Sequence, residues 1–305
     1  MAEALPKRDT IVLVDFSGLA WTCWEPALSA QEASRAALAA HQATCASCEL
    51  DEPCPTKPRV YDAKRVLLEN IDLKFGTLTE AIDTPVKTWV MVKDGKDARR
   101  RQLWPAYKAN REEKPFDPRP LAEEHIRKKG CRFCWSPEAE ADDAIATMAK
   151  VLSEGVLGPT VDIPAKDVVI VSSDKDLWQL WDPPRVRIYL TTKKEFLGKE
   201  YLNKKFPERS KTSKVPGIED VRHVRLCKAL WGDPSDNIPN AMPRAQADLA
   251  PLIKASDGTL DGFLALCTTV RLGDKVMGRL DAAREQIRTN YEVVGLYYDV
   301  PVIWL

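Results

Sequence analysis

Short apolar runs alternate with longer stretches of helical periodicity along this chain. Runs rich in β-branched and aliphatic residues predict buried strands at 11–14, 86–92, 167–171 and 186–190. Apolar residues at helical spacing, or Ala-rich composition, predict helices at 17–24, 29–44, 61–82, 140–152, 175–181, 219–231 and 274–298. Strands separated by helices favour an α/β fold, with a mainly parallel central sheet flanked by helices.

The same pattern divides the chain into two parts. Residues 1–190 hold all four predicted strands, whereas 191–305 are mainly helical and end in an extended segment. The first part carries two irregular stretches. One is a proline-broken, cysteine-containing insert at about 40–58, and the other is a polar, cationic stretch at about 96–135, here called the basic segment. We expect an α/β core over 1–190 and a helical region over 191–305.

Composition narrows the class of protein. The 305 residues include 45 Lys plus Arg and 45 Asp plus Glu, so the net charge is zero and a polyanion site requires local segregation of charge. No apolar run approaches the ~20 residues that cross a bilayer, and the polar first ten residues lack a signal-peptide core. We therefore expect a cytoplasmic protein with no membrane partner and with reduced cysteines.

Acidic residues recur where predicted strands end. Asp15, Asp94 and Asp174 each follow a strand, and the carboxyl ends of parallel strands share one edge of a sheet. Further acidic groups open a predicted helix or lie in loops. The full set is Asp15, Asp94, Glu140, Asp142, Asp143, Asp174, Asp176, Asp233 and Asp236. Each one alone is compatible with a cap or a turn. Together they would repel one another unless cations intervened, and oxygen ligands favour Mg²⁺ or Mn²⁺.

The helix start at Glu140 allows two arrangements of its acids. Glu140 and Asp143 are three residues apart and share a face, whereas Asp142 points elsewhere. The run therefore suits either two ions, or one ion and a partner side chain.

The positive charge of this neutral chain concentrates in the basic segment. Between residues 96 and 132 there are about twice as many Lys and Arg residues as acids. Trp104 and Tyr107 lie among them and could stack on bases. The alternative is a solvated, charged helix without a ligand.

Histidine and cysteine cluster around the insert. His41, Cys45, Cys48 and Cys54 have zinc-ligand types at suitable spacing, and a helix would place His41 and Cys45 on one face. A structural zinc ion is one hypothesis, and small buried thiols are the other. Cys131 and Cys134 form a further CxxC pair.

Six segments, taken together and in order, resemble the 5′-nuclease or flap endonuclease family, which includes phage 5′→3′ exonucleases and the 5′-nuclease domain of DNA polymerase I. They are IVLVDFSGLAW (11–21), VKDG (92–95), YKANR (107–111), EADDAIA (140–146), VSSDKDLWQL (171–180) and GDPSDNIP (232–239). The resemblance implies a PIN-like core, a helical arch formed by the basic segment, and a helix–three-turn–helix motif that binds duplex in 191–305.

The resemblance also implies roles for the site residues. All nine acidic residues match metal ligands for two or more ions, with Glu140, Asp142, Asp174 and Asp176 nearest the reaction. Tyr107 would stack on the terminal nucleotide, and Lys108 and Arg111 would contact the scissile phosphate. Further nucleic-acid contacts are expected from Arg99, Arg100, Arg101, Trp104 and Arg244.

One part departs from the family pattern. The glycine-rich turn expected after GDPSDNIP is replaced by Asn240-Ala-Met-Pro-Arg-Ala-Gln-Ala247, without glycine. Asn240 could adopt a left-handed conformation, and Arg244 could still reach a phosphate. We expect weaker duplex binding here, or contacts from other residues such as Lys211 and Lys214.

The expected function is metal-dependent 5′→3′ exonuclease or flap endonuclease activity on DNA with 5′ ends, flaps or nicks, and on RNA–DNA hybrids. We expect a monomer, and the resemblance to standalone phage nucleases implies a phage-encoded protein in a bacterial host. Two alternatives are a PIN-type ribonuclease and a non-catalytic nucleic-acid clamp. The basic segment and GDPSDNIP count against the first, and the complete acidic set counts against the second.

Overall fold

The computed structural model describes residues 8–45, 54, 56–157, 161–205, 220–243, 246–270 and 272–305. Its strands are β1 (Thr10–Asp15), β2 (Val86–Lys93), β3 (Arg132–Trp135), β4 (Val156–Leu157), β5 (Val161–Asp162), β6 (Asp167–Val171), β7 (Val186–Leu190), β8 (Glu195–Phe196) and β9 (Ile303–Trp304).

Its α-helices are α1 (Phe16–Gln42), α2 (Ala63–Ala81), α3 (Ala98–Leu103), α4 (Arg119–Arg127), α5 (Ala141–Glu154), α6 (Lys199–Lys205), α7 (Arg222–Trp231), α8 (Gln246–Ala255), α9 (Leu260–Thr269) and α10 (Asp274–Val293). Two 3₁₀ helices, Asp176–Leu180 and Pro234–Asp236, carry acidic residues of the site.

One sheet organises the fold, with strand order β8-β7-β6-β1-β2-β3-β9. The five strands from β7 to β3 are parallel, and the edge strands β8 and β9 are antiparallel to their neighbours. The predicted α/β class and mainly parallel sheet are therefore confirmed.

Helices cover both faces of the sheet, because successive residues of each central strand are apolar and point to opposite faces. Val12 and Val14 pack in the cluster that includes α1, α2 and α4. Leu13 packs in the opposite cluster with α5 and with helices α7 to α10. Strands buried on both faces carry continuous apolar runs, as parallel sheets require.

The helices α3, α4 and α6 and the short strands β4, β5 and β8 were not predicted from the sequence, and two further elements also differ from the expectation. Helix α1 continues through Pro26 as one element, where two helices were predicted. Strand β3 lies inside the basic segment and was not predicted, since only four residues between Gly130 and Ser136 form it. The extended C-terminal segment forms β9, which pairs with β3. The division of the chain near residue 190 stays a prediction.

Among the helices in the described part of the chain, none combines the length and apolarity that spanning a bilayer would take.

Candidate metal centre and nucleic-acid cleft

Three neighbouring strands bring the first acidic residues together. Strands β6, β1 and β2 are adjacent and parallel, and Asp174, Asp15 and Asp94 follow their carboxyl ends. All three line one cavity of about 960 Å³. The sequence-based prediction that they share a sheet edge agrees with this geometry.

Asp15 is held firmly because it ends β1 and caps α1. One carboxylate oxygen accepts the Gly18 N–H at 2.9 Å, and the other accepts the Ser172 hydroxyl at 3.0 Å. A Cβ at position 18 would lie 2.2 Å from Asp15 Oδ2. Glycine at position 18 therefore allows the carboxylate to keep its place.

The start of α5 adds further acids to the same cavity. Asp94 Oδ1 accepts the Ala141 N–H at 3.2 Å, which joins the end of β2 to the first turn of α5. Glu140 caps this helix, and Asp142 lies in its first turn, where the helix dipole favours negative charge. Glu140 and Asp142 both line the cavity.

The crowding of these carboxylates has an electrostatic consequence. Burial, opposed by the hydrogen bond from Gly18 and reinforced by repulsion from Asp94 and Asp174, raises the pKa of Asp15 to about 7. Burial and the neighbouring charges of Asp174 and Asp15 raise the pKa of Asp142 well above its usual value. The negative charge of these carboxylates is not fully compensated by nearby positive groups, and a bound divalent cation would supply the missing positive charge.

Two groups of carboxylates are close enough to share an ion. Oxygens of Asp142, Asp174 and Asp176 lie within 4.8 Å of one another, and so do oxygens of Asp176, Asp233 and Asp236. An all-oxygen donor set fits hard cations such as Mg²⁺ or Mn²⁺. Asp176 belongs to both groups and connects them.

A buried lysine compensates the second group, and sequence reasoning missed it. Lys228 of α7 is 6% exposed, contacts Asp176, and lies 2.7 Å from Asp233. Burial opposes ionisation of Asp233, but the Lys228 ammonium outweighs it and lowers the pKa of Asp233 to about 2. Burial raises the pKa of Asp176 to about 7, because Lys228 offsets it only in part and Asp174 adds to it.

The structure gives Asp143 and Arg100 a different role from the predicted one. Asp143 is fully buried and accepts two hydrogen bonds from Arg100, at 2.6 and 2.7 Å. Arg100 also donates to Glu140 and to two backbone carbonyls near the end of α10. Glu140 and Asp143 do share a face, but their common partner is this guanidinium. Asp143 is thus placed as an ion-pair partner rather than a metal ligand, and Arg100 as an internal anchor rather than a nucleic-acid contact.

The two aromatic residues of the basic segment are also largely covered. Tyr107 is 3% exposed in a small apolar cluster with Ile238, Val293 and Val294. Its hydroxyl donates toward Glu140 at 2.8 Å and lies 3.2 Å from Asp236. Trp104 is half-buried against this cluster and donates to the Asn237 carbonyl. The predicted stacking surface of Tyr107 is therefore not available in this conformation, because the ring is packed inside the protein.

Lys108 and Arg111 face the carboxylates across the cavity. Lys108 adopts a left-handed backbone conformation, with φ of 54°, and its ammonium contacts Glu140. Arg111 donates to Asp236 at 2.8 Å, yet 56% of its side chain is exposed. Lys114 and Arg119 line the same wall. The cavity therefore has an acidic wall at the strand ends and, opposite it, a wall from the basic segment. That second wall carries these four cations together with Glu112, Glu113 and Asp117, and is here called the basic wall.

The remaining predicted contacts lie outside this cavity. Arg99 stacks on the Tyr297 ring at 3.8 Å, and Arg101 is exposed and bonds to Asp97. Arg244, Lys211 and Lys214 lie outside the described residues.

The loop after α7 reverses at Asn237, whose φ of 57° is left-handed. Asn240, which the sequence suggested for that conformation, does not adopt it. Its side chain accepts a hydrogen bond from the Met242 N–H.

Histidine and cysteine converge at the far end of α1. One ligand atom each from His41, Cys45 and Cys54 lies within 4.8 Å of the others. Cys48 lies outside the described residues. Cys131 and Cys134 pack on opposite faces of the sheet, so this CxxC pair forms no joint site.

Comparison with known proteins identifies a family and relatives that this chain resembles in sequence. Residues 67–207 match the family described as the 5′-3′ exonuclease, N-terminal resolvase-like domain. DNA polymerase I of Rhizobium leguminosarum is 30% identical over 209 residues, which cover 67% of this chain and 18% of that protein. The flap endonuclease Xni of Shewanella pealeana is 27% identical over 214 residues, covering 67% of this chain and 71% of that protein. The chain spans about a fifth of the length of the DNA polymerase I relatives.

Solved structures share the fold at low sequence identity. The bacteriophage T5 5′-exonuclease with bound zinc ions aligns with a TM-score of 0.60 and 16% identity, over 93% of this chain and 89% of that one. A complex of the bacteriophage T5 flap endonuclease with DNA and metal ions aligns with a TM-score of 0.58 and 16% identity, over 93% of this chain and 88% of that one. This similarity bears on the fold and agrees with the predicted PIN-like core.

Proposed function

Because this chain belongs to the 5′-nuclease family, we propose that it hydrolyses phosphodiester bonds near the 5′ ends of DNA as a 5′→3′ exonuclease or flap endonuclease. The observation that carries the proposal is the cavity with an acidic wall at the carboxyl ends of β1, β2 and β6 and a basic wall from the basic segment.

The acidic wall fits divalent cations, and we propose Mg²⁺ or Mn²⁺. Asp142, Asp174 and Asp176 would hold one ion, and Asp15, Asp94 and Glu140 line the same wall. Ions bound there would lower the pKa of water and stabilise a leaving oxygen. The pKa of Asp15 near 7 supports this, because removal of its proton becomes favourable once positive charge is present.

The basic wall would bind the phosphate of the substrate. Lys108 now contacts Glu140, and Arg111 contacts Asp236. A phosphate entering the cavity offers each cation a second anionic partner. The guanidinium of Arg111 is the more accessible of the two and suits bidentate binding of a phosphate. Charge that develops on the phosphate would thus meet preplaced donors.

Tyr107 would position these groups rather than touch the substrate. Its hydroxyl joins Glu140 to Asp236, and its ring anchors the turn that presents Lys108.

We propose DNA with flaps, nicks or free 5′ ends as the substrate. We extend the proposal to RNA at the 5′ end of a hybrid and to a monomeric enzyme.

The test is cleavage of a 5′-labelled flapped duplex with and without Mg²⁺, by wild type, Asp174→Asn and Asp167→Asn. Asp167 begins the same strand, β6, at the opposite end of the sheet and bonds to Arg185, so its variant is a matched control. We expect cleavage by wild type and Asp167→Asn, and loss of at least 100-fold in Asp174→Asn and in EDTA, in line with removal of electrostatic stabilisation.

Product length distinguishes exonuclease from flap endonuclease action, and a substrate with a 5′ RNA segment tests hybrids. A wild type that binds the flap but leaves it intact with Mg²⁺ and with Mn²⁺ would contradict the proposal and favour a nucleic-acid clamp.

A further inference from the structure

A second cluster of metal-ligand types lies far from the acidic cavity. Helix α1 begins directly after Asp15 and carries His41 in its last turn. At about 1.5 Å per helical residue, His41 lies roughly 39 Å from Asp15 along the helix axis. The cluster is therefore separate from the proposed nuclease chemistry.

Local backbone geometry brings the three side chains together. The Cys45 N–H donates to the His41 carbonyl at 2.9 Å, so the helical turn continues and stacks Cys45 under His41. The chain returns to this point at Cys54, whose sulfur lies 3.1 Å from His41 Nε2 and 3.5 Å from Cys45 Sγ. It then runs back along α1, where the Tyr61 N–H donates to the Ser34 hydroxyl.

The chemistry of the three ligand atoms selects the ion. One imidazole nitrogen and two sulfurs, all half-buried and within 4.8 Å, suit a borderline-soft cation rather than Mg²⁺. The Thr56 hydroxyl lies 3.3 Å from the Cys54 sulfur, so a further polar group adjoins the ligand atoms.

We propose that His41, Cys45 and Cys54 form a structural zinc site that fixes the returning chain to the end of α1. Binding displaces the thiol protons of Cys45 and Cys54 to solvent and involves no change of oxidation state. Zinc there would join the end of α1 to the segment that leads into α2, and these two helices pack against each other. Three protein ligands leave one tetrahedral position for a further donor.

The experiment measures zinc in the tag-free full chain, purified in excess Mg²⁺ so that the carboxylates do not retain zinc. We expect one zinc per chain in wild type and in Cys131→Ser, a half-buried cysteine outside the cluster. We expect less than a tenth of that in Cys54→Ser and in His41→Ala.

Cobalt substitution of the wild type gives a readout that does not depend on how a variant folds. Co²⁺ bound here should produce a thiolate-to-metal charge-transfer band, which carboxylate ligands cannot give. The band should survive Asp174→Asn and weaken in Cys45→Ser, which removes one of the two sulfur ligands.

Three results would overturn the proposal. One is the absence of the charge-transfer band in wild type. Another is zinc content that is equal in wild type and Cys54→Ser. The third is a Cys45–Cys54 disulfide without metal in protein purified from a reducing cytosol, since two free sulfurs this close could instead form a redox pair.

Discussion

A substitution at Arg100 best distinguishes a structural role inside the protein from a nucleic-acid contact on its surface. Its side chain is 5% exposed and donates five hydrogen bonds. Replacing it in Arg100→Met keeps similar length and removes the charge. Asp143, which has no exposed surface, then keeps a buried carboxylate without its cation.

The expected loss of stability follows from that unpaired charge. Breaking a buried ion pair by removing one partner costs about 3–5 kcal/mol in the free energy of unfolding. For a chain of 305 residues, a loss of that magnitude lowers Tm by roughly 5–8 °C. The matched control is Arg101→Met, because Arg101 is exposed and its ion pair with Asp97, four residues earlier, is worth about 0.3–0.5 kcal/mol.

The assay is urea unfolding followed by tryptophan fluorescence and by circular dichroism, for wild type, the two single variants and Arg100→Met combined with Asp143→Leu. We expect the combined variant to regain at least half of the lost stability, because it removes the unpaired carboxylate. Binding to the flapped duplex in EDTA is measured on the same samples.

One pattern of results would refute this reasoning. If Arg100→Met unfolds within about 0.5 kcal/mol of wild type while its affinity for DNA falls more steeply than that of Arg101→Met, Arg100 contacts DNA as the sequence suggested.

Three further perturbations test the acidic cavity. In Gly18→Ala the new methyl displaces the Asp15 carboxylate, so turnover of the flapped duplex should fall at least tenfold. The control is Gly76→Ala, which should retain full activity because nothing lies within 4 Å of the added Cβ. Lys228→Met leaves Asp176 without its ammonium partner, and we expect a lower Tm in EDTA that millimolar Mg²⁺ recovers in part; an unchanged Tm in EDTA would contradict the assignment. Because the pKa values of Asp15 and Asp176 are raised to about 7, the folded protein binds more protons than the unfolded chain between pH 4 and 7. Stability without metal should therefore fall as the pH rises through this window, and Tm scans in EDTA and in Mg²⁺ check whether metal removes that fall.

The sequence was sufficient for the sheet and for its acidic edge, because both rest on local patterns. A buried β-branched run that ends in a carboxylate, as at Asp15, predicts a strand and also places the acid at the carboxyl end of that strand. Strand β3 escaped because four residues flanked by charge are too few to show a period. The continuation of α1 through Pro26 depends on packing against α2 and β2, which no local pattern reports.

The partners of the acids could not be predicted in the same way. Lys228 lies in RHVRLCKALW, where a lysine at helical spacing is normally solvated, and only the packing of α7 turns it toward Asp176. The shared face of Glu140 and Asp143 was predictable, but whether a metal ion or a guanidinium meets that face is decided by a residue 40 or more positions away. Burial of Tyr107 likewise depends on Val293 and Val294.

The anchoring of Arg100 also orders events during synthesis. Its backbone acceptors, the carbonyls of Val293 and Gly295, lie 193 and 195 residues later in the chain. At about 5–20 residues per second, a ribosome needs roughly 10–40 s to reach them after it has made Arg100. The sheet strands up to β8 emerge before that moment. A nascent chain can therefore hold a folded sheet while the basic wall still lacks the contacts of Arg100 with the end of α10. Acquisition of activity would then coincide with the appearance of the last helix rather than with that of the acidic residues themselves.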